Sequence, residues 1–236
     1  MAGVGVEMPP LSAGQWERAQ RLLVHAPAVR IAPKPRLAER LLALFGLTLA
    51  APLLLLFGWL IRRESPGPLL YRQVRIGAGG RPFDLFKLRT MEAGAHGRFA
   101  EVVATHNDYD DPRFFKADID PRVTPSGAVA RALAVDEVPQ LLNVVRGEMA
   151  LVGPRPLIPE EDRWVEDWAA ERRSVPPGLT GLWQTAGGNE IGFDGMLWLD
   201  CLYAGHRSLR QDLRLALATP RSLLARLGRW RAGSRA

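Results

Sequence analysis

The chain has 236 residues, 47% of them apolar and 24% charged, with a single cysteine, Cys201. That composition excludes a disordered polymer, and one cysteine excludes an internal disulfide. The net charge is +6, and only Lys34, Lys87 and Lys116 are lysines. Arginine carries the rest of the positive charge, which suits bidentate phosphate binding or an anionic lipid surface.

Residues 1–36 read as a polar, proline-containing leader in which Gln15 to Leu23 can form a short amphipathic helix. The leader lacks the basic start, apolar run and small-residue cleavage site of a signal peptide, so none is expected. Leu41 to Ile61, within a segment taken as 37–63, is an uncharged run of 21 residues, long enough to span a bilayer. Pro52 lies in its middle and lacks the N–H that would bond the carbonyl of Thr48, so a bend is expected there. Arg30, Lys34, Arg36 and Arg40 precede the run, and Arg62 and Arg63 follow it. Basic flanks stay on the cytoplasmic side. A spanning helix satisfies one flank, whereas a re-entrant helix-break-helix satisfies both; natural spanning helices also tolerate a proline kink, so both readings stand.

Ser65-Pro66-Gly67-Pro68 is a turn cluster, after which the chain turns soluble. Leu70 to Ile76 and Pro82 to Leu88 are expected as strands of a hairpin joined by Gly77 to Gly80, and residues 92–120 as irregular. Ala128 to Arg146 is expected to be mainly helical, ended by Gly147, and Pro159 to Arg173 a second helix. Gly195 to Ala204 and Ser208 to Thr219 follow, with Pro220 as a break. From Arg207 to Arg235 there are eight arginines and one acid, Asp212, with Leu223, Leu224, Leu227 and Trp230 at helical spacing. This predicts a basic amphipathic tail over 221–236 lying on an anionic membrane; the plain alternative is a surface helix packed on the domain.

The segment from Ala134 to Pro156, AVDEVPQLLNVVRGEMALVGPRP, carries the chemistry. Asp136 and Glu137 are adjacent acids expected to open a helix, where Asp136 alone reads most simply as a helix cap. Arg131 lies upstream, and Arg155 is held between Pro154 and Pro156. A helix N-terminus favours anions, and the arginines can offset phosphate charge. Two acids with these cations suit phosphoryl transfer: one carboxylate attacks, and the other holds Mg²⁺.

Taken together, the blocks resemble the monotopic phosphoglycosyl transferases, the bacterial sugar transferase family acting on undecaprenyl phosphate. The resemblance runs from about Leu41 to Thr219. It rests on the apolar run with its mid-proline, then SPGP with YRQVRIGAGGRPFDLFKLRTM, DPRVT at Asp120 to Thr124, VDEVPQLLNVVRGEMALVGPRP, PGLTGLWQ at Pro177 to Gln184, and Leu199, Asp200 and Tyr203. The resemblance implies that Asp136 is the nucleophile, forming a covalent sugar-phosphate intermediate with release of UMP. It implies that Glu137 is the second catalytic acid and the Mg²⁺ ligand. Arg131 and Arg155 match phosphate-binding positions, Lys87 and Arg89 the basic pair of the KLRTM block, and Asp200 a late acid near the site. Its implied partners are a UDP-sugar, undecaprenyl phosphate and membrane lipids, at the cytoplasmic face of the bacterial inner membrane; self-association is compatible with it.

The chain departs from the family pattern at Ala134 and Ala51, where serines are usual, and in Gly147-Glu148-Met149-Ala150. Gly188 stands where many members carry arginine, which bears on sugar or nucleotide specificity and not on the reaction class. The histidines are scattered, and Asp118-Ile119-Asp120 imitates a metal motif but reads more simply as a turn. The expected architecture is a helix-rich α/β catalytic domain over 64–220 on a membrane-embedded helix bent at Pro52, with amphipathic interfacial helices. The rivals are a non-catalytic membrane-surface protein on the same fold and an anchored nucleic-acid binder. The intact acid pair speaks against the first, and the lack of any nucleic-acid motif against the second.

Overall fold

The computed structural model describes residues 11–23, 35–106, 111, 113 and 120–233. Much of the leader, Asp118, Ile119 and Arg235 lie outside them, as do the side chains of Asn189, Arg226 and Trp230.

Helix α1 spans Ala13–Leu22, two residues earlier than the apolar pattern suggests. The cause is a capping box: the Ser12 side chain accepts from the Gln15 N–H while the Gln15 side chain accepts from Ser12 N–H. Helix α2 spans Leu37–Glu64, about 42 Å at the usual rise per residue. It is the one helix among the described residues that is long and apolar enough to cross a membrane. Its helical hydrogen-bonding pattern continues through Pro52, so the expected interruption is not a break in secondary structure.

Strands β1, Leu70–Ile76, and β2, Pro82–Leu88, pair antiparallel with Leu70 opposite Leu88 and Ile76 opposite Pro82, as the sequence predicts. Helix α3 follows at Phe99–His106 and α4 at Pro125–Ala132, the latter capped by the Thr124 side chain. The single helix expected over Ala128 to Arg146 is corrected here. Ala134 takes a left-handed conformation at φ 56°, a 3-10 turn runs Val135–Gln140, and α5 is only Leu141–Arg146. Strand β3, Ala150–Val152, then pairs in parallel with β4, Gly178–Thr180, a contact no local pattern announces.

The second expected helix is also corrected. Pro159–Asp162 forms the short α6, and Asp167–Ser174 is a 3-10 helix, although Trp164, Val165, Trp168 and Ala169 recur at helical spacing. Helices α7, Leu182–Ala186, and α8, Phe193–His206, follow. Helix α9, Leu209–Gly233, runs through Pro220, so the expected break there is absent. Hydroxyls of Thr219 and Ser222 donate to the carbonyls of Leu215 and Thr219 around that proline.

The largest core gathers α1, α7 and α8 around Trp183, Phe193, Met196 and Tyr203. Two smaller cores fix α2 along its length. Phe57 and Ile61 pack with Leu88, Ala130 and Val135, and Ala43 with Leu85, Val144 and Met149. Polar contacts pin both ends of α2 to the same domain. Arg36 pairs with Asp212 at 2.8 Å and Arg40 donates to the Val145 carbonyl, while Glu64 accepts from Ser126 on α4. The opposite face exposes Leu41, Leu42, Phe45, Leu49, Leu53, Leu56 and Trp59, an apolar area that water alone would not favour.

Candidate active site

The acid pair lies on the 3-10 turn between α4 and α5, against β2. Ala134, the residue before the turn, makes no side-chain cap, and Asp136 occupies a position inside it. Asp136 is therefore not the N-cap residue of this turn. The turn continues directly into α5, so the start of this helical stretch adds its dipole to the charges of the side chains around it. The left-handed Ala134 is unfavourable for a residue with a Cβ, which places backbone strain two residues from Asp136.

Asp136 is 6% exposed, so its carboxylate is largely shielded from water. Glu137 turns outward enough for its Oε1 to lie 3.7 Å from Lys87 Nζ on β2. Arg75 of β1 is buried. It donates to the Pro156 carbonyl at 2.9 Å and to Gln73 Oε1 at 2.7 Å, and pairs with Glu161 at 3.6 Å. Burial and the positive charge of Arg155 lower the Arg75 guanidinium to about 10, against the pull of Glu161, Tyr71 and Glu137. Arg75 thus lies within electrostatic reach of Glu137 and Arg155, joining the acid turn to the Pro-Arg-Pro loop.

That loop is firmly held. The Arg155 guanidinium sits over the Trp183 ring, 5.3 Å from its centroid, and the Arg155 N–H donates to Asp200 Oδ2 at 3.2 Å. Arg172 donates to the same oxygen at 2.7 Å and to the Arg155 carbonyl. Asp200 is 1% exposed, and burial pushes its carboxyl up despite the opposing charges of Arg172 and Arg155. The β3–β4 pairing brings Gly153 against Gly178 so closely that a Cβ at Gly178 would collide with the Gly153 backbone.

The sequence-predicted residues fall into two groups. Asp136, Glu137 and Lys87 meet directly or stand adjacent, and Arg155 joins them through Arg75. Arg131 donates from Nε to Thr90 Oγ1 at 2.8 Å, just after β2, and its charge helps hold Asp120 low. Asp200 is a support beneath the loop. Arg89 is engaged elsewhere: it donates to the Ser65 carbonyl and hydroxyl, tying down the turn that ends α2. Pro52 lies on the exposed part of α2. Asp120 forms a buried ion pair with Arg122 at 2.7 Å, which explains DPRVT as a locked turn.

Two residues escaped sequence reasoning. Arg75 was signalled by the alternation Gln73-x-Arg75, which puts both on one face of β1; Arg172 carried no local signal. Among the described residues no group of three or more His, Cys, Asp or Glu forms a metal cage. Mg²⁺ commonly takes only one or two protein carboxylates, the rest of its shell being substrate phosphate and water. Glu137 beside Asp136 fits that demand.

The family model described as bacterial sugar transferase matches residues 32–226. Exopolysaccharide production protein ExoY of Rhizobium meliloti is 39% identical over 181 residues, covering 76% of this chain and 80% of that protein. The UDP-glucose:undecaprenyl-phosphate glucose-1-phosphate transferase of Caulobacter vibrioides is 41% identical over 207 residues, 84% of this chain and 72% of that protein. The undecaprenyl-phosphate galactose phosphotransferase of Salmonella typhimurium is 33% identical over 190 residues, 77% of this chain but 38% of that larger protein.

Proposed function

The chain belongs to the bacterial sugar transferase family, and from that premise we propose that it transfers a sugar 1-phosphate from a UDP-sugar to undecaprenyl phosphate. The observation that carries the reading is the shielded Asp136 next to a Glu137 that already holds a cation, Lys87, at 3.7 Å. The names of the Caulobacter and Salmonella relatives support the donor and acceptor classes.

In the proposed reaction an Asp136 carboxylate oxygen attacks the phosphorus that bears the sugar. The P–O bond to UMP breaks, UMP leaves with the electron pair, and an acyl phosphate remains on Asp136. A phosphate oxygen of the polyprenyl phosphate then attacks the same phosphorus, and the Asp136 carboxylate departs. Lys87, Arg75 and Arg155 stabilise the negative charge gathering on the phosphate oxygens, which a dry site makes more effective. Glu137 would hold Mg²⁺, which supplies charge neutralisation of the diphosphate when bound. Shielding of Asp136 keeps water from hydrolysing the acyl phosphate.

The lipid acceptor explains the form of α2. Its entrance is tied to Asp212 and its exit to α4 and Arg89, so both ends are held by the same domain. A helix crossing the bilayer carries its ends to opposite faces. The packing therefore supports a monotopic arrangement, with the exposed apolar face of α2 in one leaflet. Leu209, Leu213 and Leu217 of α9 are exposed at helical spacing with Arg210 and Arg214 nearby, as an interfacial helix requires.

Incubation with undecaprenyl phosphate, Mg²⁺ and a panel of UDP-sugars tests the proposal. UMP and a lipid-linked sugar diphosphate should form together with at least one donor. Absence of UMP release across the panel would reject it.

A further inference from the structure

Helix α1 precedes the stretch that matches the family, yet it is built into the largest core. Ala19 is fully buried, and Trp16 packs edge-on against Trp198 with centroids 5.0 Å apart. Gln15 Nε2 donates to the Glu190 carbonyl at 2.9 Å, and Arg18 pairs with the Glu190 carboxylate at 3.8 Å. The Leu22 carbonyl accepts from Gln211 on α9.

These contacts land on the two supports of Arg155. The first is α7, which α1 packs against and whose Trp183 lies under the Arg155 guanidinium. The turn gripped by Gln15 and Arg18 continues directly from α7, through a Gly187 N–H that donates to the Trp183 carbonyl. The second is α8, where Trp198 stands two residues before Asp200, the acceptor for the Arg155 N–H. A brace on both supports limits how far the guanidinium can wander from one position. We propose that α1 is a positioning element for donor binding, with Gln15, Trp16 and Arg18 acting through Trp183 and Asp200 on Arg155. This rests on the reading of Arg155 as a ligand of the UDP-sugar diphosphate.

The test uses the full chain in membranes. Trp16→Ala, Arg18→Ala and the double variant Gln15→Ala/Arg18→Ala should each raise KM for the UDP-sugar about three- to tenfold. The change in kcat should stay within about twofold, and KM for undecaprenyl phosphate should not move. Trp16→Phe keeps an aromatic ring on Trp198 and should restore most of the donor KM. In an Arg155→Lys background, Trp16→Ala should add no further rise, because residues acting through one group are not additive. An equal rise in both KM values, an unchanged donor KM, or an undiminished effect in the Arg155→Lys background would overturn the inference. Should Trp16→Ala fail to fold, Arg18→Ala, which removes only the exposed pairing with Glu190, reads the same quantity. Should the unaltered chain release no UMP from any UDP-sugar, the proposed function falls, and amide exchange over residues 182–187 decides the role of α1. Faster exchange there in Trp16→Ala supports the brace, and unchanged exchange refutes it.

Discussion

Lys87 Nζ stands 3.7 Å from Glu137 Oε1, a contact that joins the end of β2 to the turn carrying both acids. The contact gives Glu137 a cation of its own, so on the proposal that Glu137 holds Mg²⁺ the two cations would compete for one carboxylate. Lys87→Met should therefore lower the Mg²⁺ concentration for half-maximal activity while reducing kcat, since in the proposed reaction the lysine also serves the phosphate. Glu137→Gln should raise that concentration by roughly tenfold or more, or abolish activity. A magnesium titration of UMP release checks both. Unchanged dependence in Glu137→Gln would move the metal to another acid.

The anchoring of α2 predicts topology. Cysteines placed near Arg36 and Arg63 should both be protected from a membrane-impermeant thiol reagent in intact cells, and both should react after the membrane is opened. Pro52→Leu removes the residue that weakens the helix at mid-length, and should divert a fraction of molecules to a spanning form. Labelling at one end alone in the unaltered chain would contradict the monotopic arrangement.

The Asp120–Arg122 pair predicts an acid-sensitive contribution to stability. Burial alone would raise the Asp120 carboxyl, but the hydrogen bonds and charge of Arg122 outweigh it and the net shift is downward. A lowered acid stabilises the fold above its unfolded value, near 4, and loses that contribution as pH falls below it. Asp120→Asn should cost about 3 kcal/mol at pH 7, because the buried Arg122 loses its ion pair with Asp120. The gap between the two proteins should close as unfolding is measured from about pH 5 down to 3. A gap that widens on acidification would reverse the assignment.

Ala134 predicts a trade between stability and rate. At φ 56° it is strained, and Ala134→Gly should add about 1 kcal/mol of stability, raising Tm by about 2–4 °C. The same freedom loosens the turn that aims Asp136, so kcat should fall severalfold. A lowered Tm would show that the Ala134 conformation carries no strain.

Local chemistry made much of this legible beforehand. The hairpin could be read because alternation and a glycine turn fix register within a few residues, and it occurs at the expected bounds. Asp136, Glu137, Lys87 and Arg155 stand out in the sequence because each block is short and contiguous, and the structure sets Lys87 beside Glu137. The helix over Ala128 to Arg146 was read too long because its apolar residues continue in phase across Ala134, whose positive φ no periodicity reports. The β3–β4 pair and the Arg172–Asp200 contact join residues about 28 positions apart, so only tertiary packing reveals them. Arg89 shows the converse: the motif identified an arginine that matters, while the structure gives it the end of α2 to hold. Helix α1 looked like an isolated amphipathic segment because its partners, Trp198 and Glu190, lie far along the chain.

The covalent step on Asp136 is the centre of the account, and mass spectrometry of the enzyme tests it most directly. Incubation with a productive UDP-sugar and Mg²⁺, without lipid acceptor, should add one sugar phosphate to the peptide containing Asp136. Addition of undecaprenyl phosphate should then discharge it. Asp136→Asn preserves size and removes the charged nucleophile, so adduct and turnover should vanish together. An active Asn variant, or full turnover with no adduct on the unaltered enzyme, would contradict the two-step mechanism and require direct transfer between the two substrates.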